Sequence, residues 1–153
     1  MGNTYSQITI QIVFAVKYRE AKILPSFEDD LFKYITGVIQ NKGQKLLAIN
    51  GMPDHIHILI GMKPTCCISD LVREIKKSST EYINSNGLCP SIFRWQNGFG
   101  AFSYSHGHLE RVINYIRNQK EHHRSNTFKT EYIDFLEKFN VSYEDNYLFE
   151  WLN

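Results

Sequence analysis

The chain has 153 residues, 42% hydrophobic and 14% aromatic, which suits one folded domain with a real core and excludes a disordered segment. Its 17 Lys and Arg against 16 Asp and Glu give a net charge of +1, which read alone argues against a strongly basic nucleic-acid binder. That sum conceals a division. Residues 1–130 carry 16 basic and 10 acidic side chains, a body of +6, and residues 131–153 net −5, an asymmetry that points to a polyanionic partner.

Tyr5 to Tyr18 alternates: Ile8, Ile10, Ile12, Phe14 and Val16 fall on one face, and Gln7, Thr9, Gln11 and Lys17 on the other. The period of two predicts a long strand with one buried face. Pro25-Ser26 opens a helix, with Ser26 and Asp29 spaced as a capping box. Its apolar stripe is Phe27, Leu31, Tyr34, Ile35, Val38 and Ile39, and Gly43 is its stop. Lys45 to Asn50 and His55 to Ile60 read as a hairpin around the turn Gly51-Met52-Pro53-Asp54. A second helix runs over 68–84, with Leu71, Val72, Ile75, Tyr82 and Ile83 inward, and residues 85–91 form a loop. Residues 92–105 read as two short strands or one bulged strand. Helices follow over 108–124 and 127–139, then a short tail.

The order β-α-β-β-α-β followed by helices predicts an α+β, ferredoxin-like antiparallel sheet with two helices on one face. The C-terminal helices are left to pack on the other face, on an edge or on a second subunit. One domain spans 1–153: a sheet-and-helix core over 5–105, a helix over 106–125 and an acidic helical tail over 126–153.

No apolar run approaches the roughly 20 residues of a membrane span, and the N-terminus shows no signal-peptide pattern. The match of Met1-Gly2 and Ser6 to a myristoylation pattern runs into the first strand and reads as chance. Cys66, Cys67 and Cys89 have neither a zinc spacing nor an even count, so free thiols in a reducing cytoplasm are expected.

Three groups of residues can carry chemistry. On a strand, residues i and i+2 share a face, so His55 and His57 point the same way while Ile56, Ile58 and Ile60 point to the core. Two such imidazoles can ligate one metal, or they can be surface histidines. Leu59 continues their face, so something apolar covers it, and a metal would hold two covered imidazoles neutral. On the helix over 108–124, Tyr115 and Gln119 are i and i+4 neighbours at the border of the core stripe, with Arg111 and His122 on the same ridge. Taken alone, a boundary Tyr beside a Gln is more ordinary in packing than in catalysis. Arg73, Lys76 and Lys77 form a positive ridge on the second helix, which is a solvated face unless Arg94, Trp95 and Arg111 lie beside it. Interleaved cations and aromatics suit single-stranded nucleic acid.

Three segments, in order, carry a resemblance: Gly51-Met52-Pro53-Asp54-His55-Ile56-His57, the stretch from Trp95 to Ser105, and Tyr115 to His123. Together they resemble the HUH-type single-tyrosine transposases of the IS-two-hundred-like insertion sequences, over residues 5–140. The resemblance implies that His55 and His57 are metal ligands, Gln119 a third, and Tyr115 the nucleophile. It implies a divalent cofactor, Mg²⁺ or Mn²⁺, and a single-stranded DNA substrate with a hairpin near the element's end. It further implies a covalent 5′-phosphotyrosine intermediate, a homodimer with shared active sites and a cytoplasmic enzyme. Arg73, Lys76, Lys77, Arg94, Trp95 and Arg111 are the expected DNA contacts. A non-catalytic nucleic-acid-binding protein of the same fold is the alternative. A small phosphoesterase on this fold would need a second His-x-Thr/Ser segment; none is present, and His106-Gly107-His108 is the nearest repeat. The acidic tail is expected to pack on or near the basic body, in the same chain or across the dimer, and to restrain non-specific DNA binding.

Overall fold

The structure, a computed structural model, describes residues 2–122 and 127–143. At its centre is a four-stranded antiparallel sheet in the order β2-β3-β1-β4. β1 is Thr9–Ala15, shorter than the alternating stretch because the chain turns at Lys17–Arg19, where Tyr18 and Arg19 take positive φ. α1 is Glu28–Asn41. The capping box expected at Ser26 does not form: Phe27 is the N-cap and makes no side-chain cap bond. The acidic residues Glu28, Asp29 and Asp30 fill the first turn instead, where they meet the positive end of the helix dipole. Gly43, at φ 78°, ends the segment as expected.

β2 (Lys45–Met52) and β3 (His55–Gly61) form the hairpin. β2 outruns its expected end because Gly51 pairs with Ile56 and Met52 with His55, leaving Pro53 and Asp54 as the turn. α2 is Ile68–Ser85 and β4 is Gly100–Ser103. Trp95 adds an isolated bridge to Val16. The single helix expected over 108–124 is divided. α3 is Leu109–Arg117, Asn118 departs from helical geometry at φ −97°, ψ 22°, and α4 is Gln119–His122. His123 and Arg124 lie outside the described residues. α5 is Phe128–Lys138, capped by the Thr127 side chain, which accepts from the Thr130 N–H.

This is the ferredoxin-like architecture, with α1 and α2 on one face. Ile10, Ile12, Phe14, Ile56, Ile58 and Ile60 pack there against Leu31, Ile35, Val72 and Ile75. The expectation that β1 buries one face is corrected, because all seven of its residues are buried. α3 and α5 cover the second face. Val112 and Ile116 pack on Ala48 and Leu59, while Phe128, Tyr132, Phe135 and Leu136 pack on Val13, Ala15 and Phe102. Gln11 therefore enters the interior, and so do the two histidines. No helix among the described residues is long and apolar enough to cross a membrane. Cys66, Cys67 and Cys89 are free thiols.

Candidate active site

His55 and His57 project from β3 toward α3 and α5, and both are fully buried. Each ring is fixed through its outer nitrogen. His55 Nδ1 lies 2.7 Å from Asp54 Oδ1 in the hairpin turn. His57 Nδ1 lies 2.9 Å from Gln11 Nε2 on β1, and the Tyr104 hydroxyl donates to Gln11 Oε1 at 2.8 Å, holding that amide in place. Asp54 accepts from His55 Nδ1, the usual partner of a metal-ligating imidazole, while the Gln11 amide fixes the plane of the His57 ring through Nδ1, and both Nε2 atoms turn away from β3.

Both Nε2 atoms converge on one carboxylate. Glu131 Oε1, from α5, is 2.8 Å from His57 Nε2 and 3.6 Å from His55 Nε2. The ligand atoms of His55, His57 and Glu131 all lie within 4.8 Å of one another. Two imidazoles and a carboxylate are a donor set suited to a divalent first-row ion. The other oxygen of Glu131 faces α3: Oε2 accepts a hydrogen bond from the Tyr115 hydroxyl and lies 3.2 Å from His122 Nε2. Phe128, one turn before Glu131, stacks flat on His55 at 4.0 Å between ring centres.

Gln119 is fully buried at the start of α4. Its Nε2 is 3.4 Å from the Tyr115 carbonyl, and its Oε1 has no hydrogen-bond partner among the described residues. An orphaned buried carbonyl oxygen is costly unless something electropositive meets it, so Gln119 also fits a cation.

Burial alone would push the His55 pKa down, but hydrogen bonds and charge from Asp54 and Glu131 outweigh it and hold it above the ordinary value. Burial would push the Asp54 carboxyl up, yet His55 and Arg19 hold it below the usual range. Burial, reinforced by the Glu131 charge, raises the pKa of the Tyr115 phenol far above that of free tyrosine. The phenol is therefore protonated at rest, and its activation requires a cation or a proton acceptor beside it.

The structure thus brings His55, His57 and Tyr115 to one carboxylate within one chain, with Gln119 buried beside the Tyr115 carbonyl. Arg111 lies on the same side, lining a cavity with Tyr115. The other expected DNA contacts lie elsewhere. Arg73 and Lys77 are exposed on α2, across the sheet from the histidines, and Arg73 pairs with Asp70. Lys76 turns inward to donate to the Gln96 and Gly98 carbonyls at 2.7 Å each, and burial pushes its pKa down to about 8. Arg94 is exposed near the Val16 bridge. Trp95 is a core residue, edge-on to Phe14 and donating to Ser79 Oγ. His108 bonds Ser105 at the start of α3, outside the buried triad.

Glu131 is the member that sequence reasoning missed. It was counted among the acidic side chains of the tail. The available signal was its spacing, a carboxylate three residues after Phe128 and four before Phe135, on the apolar face of a helix that sets Asp134 and Glu137 on its exposed side. Such a position points inward and needs a partner.

Residues 4–119 match the family described as "Transposase IS200 like". The chain belongs to that family. As an IS200-like transposase it is 27% identical over 120 residues to the ISDra2 transposase TnpA of Deinococcus radiodurans, covering 75% of this chain and 86% of that protein. Its fold resembles the crystal structure of a candidate transposase from Deinococcus radiodurans R1, with a TM-score of 0.61 and 24% identity over 78% of this chain and 96% of that one. It also resembles a REP-associated tyrosine transposase bound to a REP hairpin, with a TM-score of 0.57 and 20% identity over 77% of this chain and 70% of that one. The match to the IS200-like family ends at Gln119, so α5 and Glu131 lie beyond it.

Proposed function

We propose that this IS200-like transposase is a metal-dependent enzyme of single-stranded DNA, cleaving and rejoining strands through a covalent 5′-phosphotyrosine on Tyr115. The observation that carries this reading is the hydrogen bond from the Tyr115 hydroxyl to a carboxylate that also meets both histidine Nε2 atoms. A nucleophile held at a candidate cation site is what attack on a phosphodiester requires.

A divalent ion, Mg²⁺ or Mn²⁺, would be held by His55, His57 and Glu131, with Gln119 as a further donor. When bound, it would polarise the non-bridging oxygens of the scissile phosphate and favour the tyrosinate. The chain's own residues supply the rest. Asp54 and Gln11 hold the two imidazoles in register. Oε2 of Glu131 is placed to receive the phenol proton. Tyr115 Oη then bonds to phosphorus, and the bond from phosphorus to the 3′-oxygen breaks. That oxygen takes a proton from water and leaves as a 3′-hydroxyl. The phosphotyrosine retains the diester's free energy, so a second 3′-hydroxyl can reverse the step without ATP.

Hairpin-bearing element ends are the proposed substrate, supported by the neighbour with a bound hairpin. A homodimer acting in the cytoplasm is part of the same proposal. Within the one chain described, Tyr115 lies beside His57 of the same chain, so a shared site would require α3 to exchange between protomers. The test is incubation with Mn²⁺ and single-stranded DNA carrying the ends that flank the gene. A covalent adduct that disappears in Tyr115→Phe is expected. DNA binding without an adduct, or an adduct in Tyr115→Phe, would overturn the proposal and leave a non-catalytic DNA-binding protein or another nucleophile.

A further inference from the structure

A cavity of about 370 Å³ lies between α3 and α5 with Tyr115 in its wall. Tyr104, Val112 and Phe135 give it apolar sides, and the exposed Arg111, Asp134 and Lys138 stand around it. His55, His57 and Gln119 do not line it and are fully buried. The cavity is therefore the side from which Tyr115 can be approached with α5 in place.

We propose that this cavity is a subsite for one nucleotide of the DNA strand, the one attached to the scissile phosphate. The proposal rests on the function above and names where its substrate sits. A nucleotide is a flat apolar base joined to an anionic phosphate. The cavity has the same two characters, aromatic and aliphatic walls with exposed Arg111 and Lys138 outside them. Bases stack on aromatic side chains, and phosphates pair with Arg and Lys. Its volume falls in the range of ordinary small-ligand pockets. Asp134 is the one carboxylate among the exposed residues around it, and a carboxylate there favours bases with an exocyclic amino group, cytosine, adenine and guanine, over thymine. Asp134, Phe135 and Lys138 all belong to α5, beyond the family match. The subsite is thus built by this chain's last described helix onto the shared core.

The test uses the full chain with ring-labelled tyrosine, titrated by NMR with dCMP, dAMP, dTMP and inorganic phosphate. Expected are shifts of the Tyr104 and Tyr115 rings with dCMP and dAMP, about tenfold weaker binding of phosphate alone, and weaker binding of dTMP. Arg111→Glu with Lys138→Glu should weaken nucleotide binding by about tenfold or more, with thermal stability unchanged because both side chains are exposed. Asp134→Asn should erase the preference over dTMP. Equal binding of phosphate and nucleotides, or shifts that spare both rings, would overturn the subsite. The titration needs neither metal nor cleavage. Ring shifts without any DNA adduct would therefore overturn the proposed function alone, and a normal adduct without ring shifts would overturn the subsite alone.

Discussion

The Tyr115 hydroxyl on α3 donates to Oε2 of Glu131 on α5, while Oε1 of the same carboxylate stands 2.8 Å from His57 Nε2. One side chain thereby links the candidate nucleophile to the candidate ligands. Glu131→Gln keeps the shape and removes the charge. Its affinity for Mn²⁺, measured by calorimetry, should fall by at least about tenfold, and adduct formation should slow with it. Glu131→Ala leaves His57, His122 and Tyr115 facing a void and should destabilise the fold by about 3–5 kcal/mol. Unchanged Mn²⁺ affinity in Glu131→Gln would remove Glu131 from the ligand set.

Gln11 touches no ligand position itself but fixes the His57 ring through Nδ1. Gln11→Leu should leave the sheet intact and weaken Mn²⁺ binding by about 10–100-fold, as loss of outer-shell partners does. Restoration by Gln11→Asn would be poor because its shorter amide cannot span between Tyr104 and His57. Wild-type affinity in Gln11→Leu would show that packing alone orients the ring.

The pH dependence of stability follows from two opposed shifts. The His55 pKa lies above its ordinary 6.5 in the fold, so its contribution is complete below 6.5 and disappears as pH rises through the folded value. The Asp54 pKa lies below its ordinary 3.8, so its contribution holds above 3.8 and disappears as pH falls through the folded value. The metal-free protein should melt highest in mild acid, with Tm declining toward alkaline pH. Metal ions bind neutral imidazole, so the gain in Tm from saturating Mn²⁺ should grow over the same range. Thermal melts with and without Mn²⁺ check both slopes. A Tm gain that shrinks as pH rises would contradict ligation by these histidines.

Two glycines give a matched pair. A Cβ at Gly51 would stand 2.4 Å from the His55 carbonyl oxygen and 2.9 Å from Ile56 Cα, both backbone atoms that cannot swing away. Gly51→Ala should cost about 1–3 kcal/mol and lower Tm by roughly 2–4 °C per kcal/mol. It should also weaken Mn²⁺ binding, because the hairpin that yields is the one carrying His55. Gly37 lies within α1 with nothing within 4 Å, so Gly37→Ala should raise stability by about 0.5–1 kcal/mol. Equal melting temperatures for the two variants would refute the close approach at Gly51.

Much of the fold was legible because its signals are local. Alternation along β1, the hairpin around Pro53 and the stripes of α1 and α2 each follow from neighbours in sequence. The pairing of His55 with His57 followed from strand geometry alone. What escaped depends on distant segments. The second covered face of the sheet could not be read from β1, because Gln11 is polar and its burial depends on α3, α5 and Tyr104. The break at Asn118 could not be read from a helix pattern that continues through it. Glu131 is hidden by arithmetic: summed into an acidic tail, it reads as surface charge, whereas the fold buries it between the two histidines and Tyr115. The expected restraint by the tail must now be separated from this role, since cutting the chain after Thr130 would delete a residue of the cluster. Glu144, Asp145 and Glu150 lie outside the described residues.

The position of Glu131 in the chain also sets an order of completion. During synthesis the histidines leave the ribosome first, Tyr115 and Gln119 next, and the carboxylate that joins them last. Until α5 docks, a nascent or prematurely ended chain has the candidate nucleophile and both imidazoles but not the acid between them. A transposase arranged this way would withhold strand cleavage from its own unfinished copies.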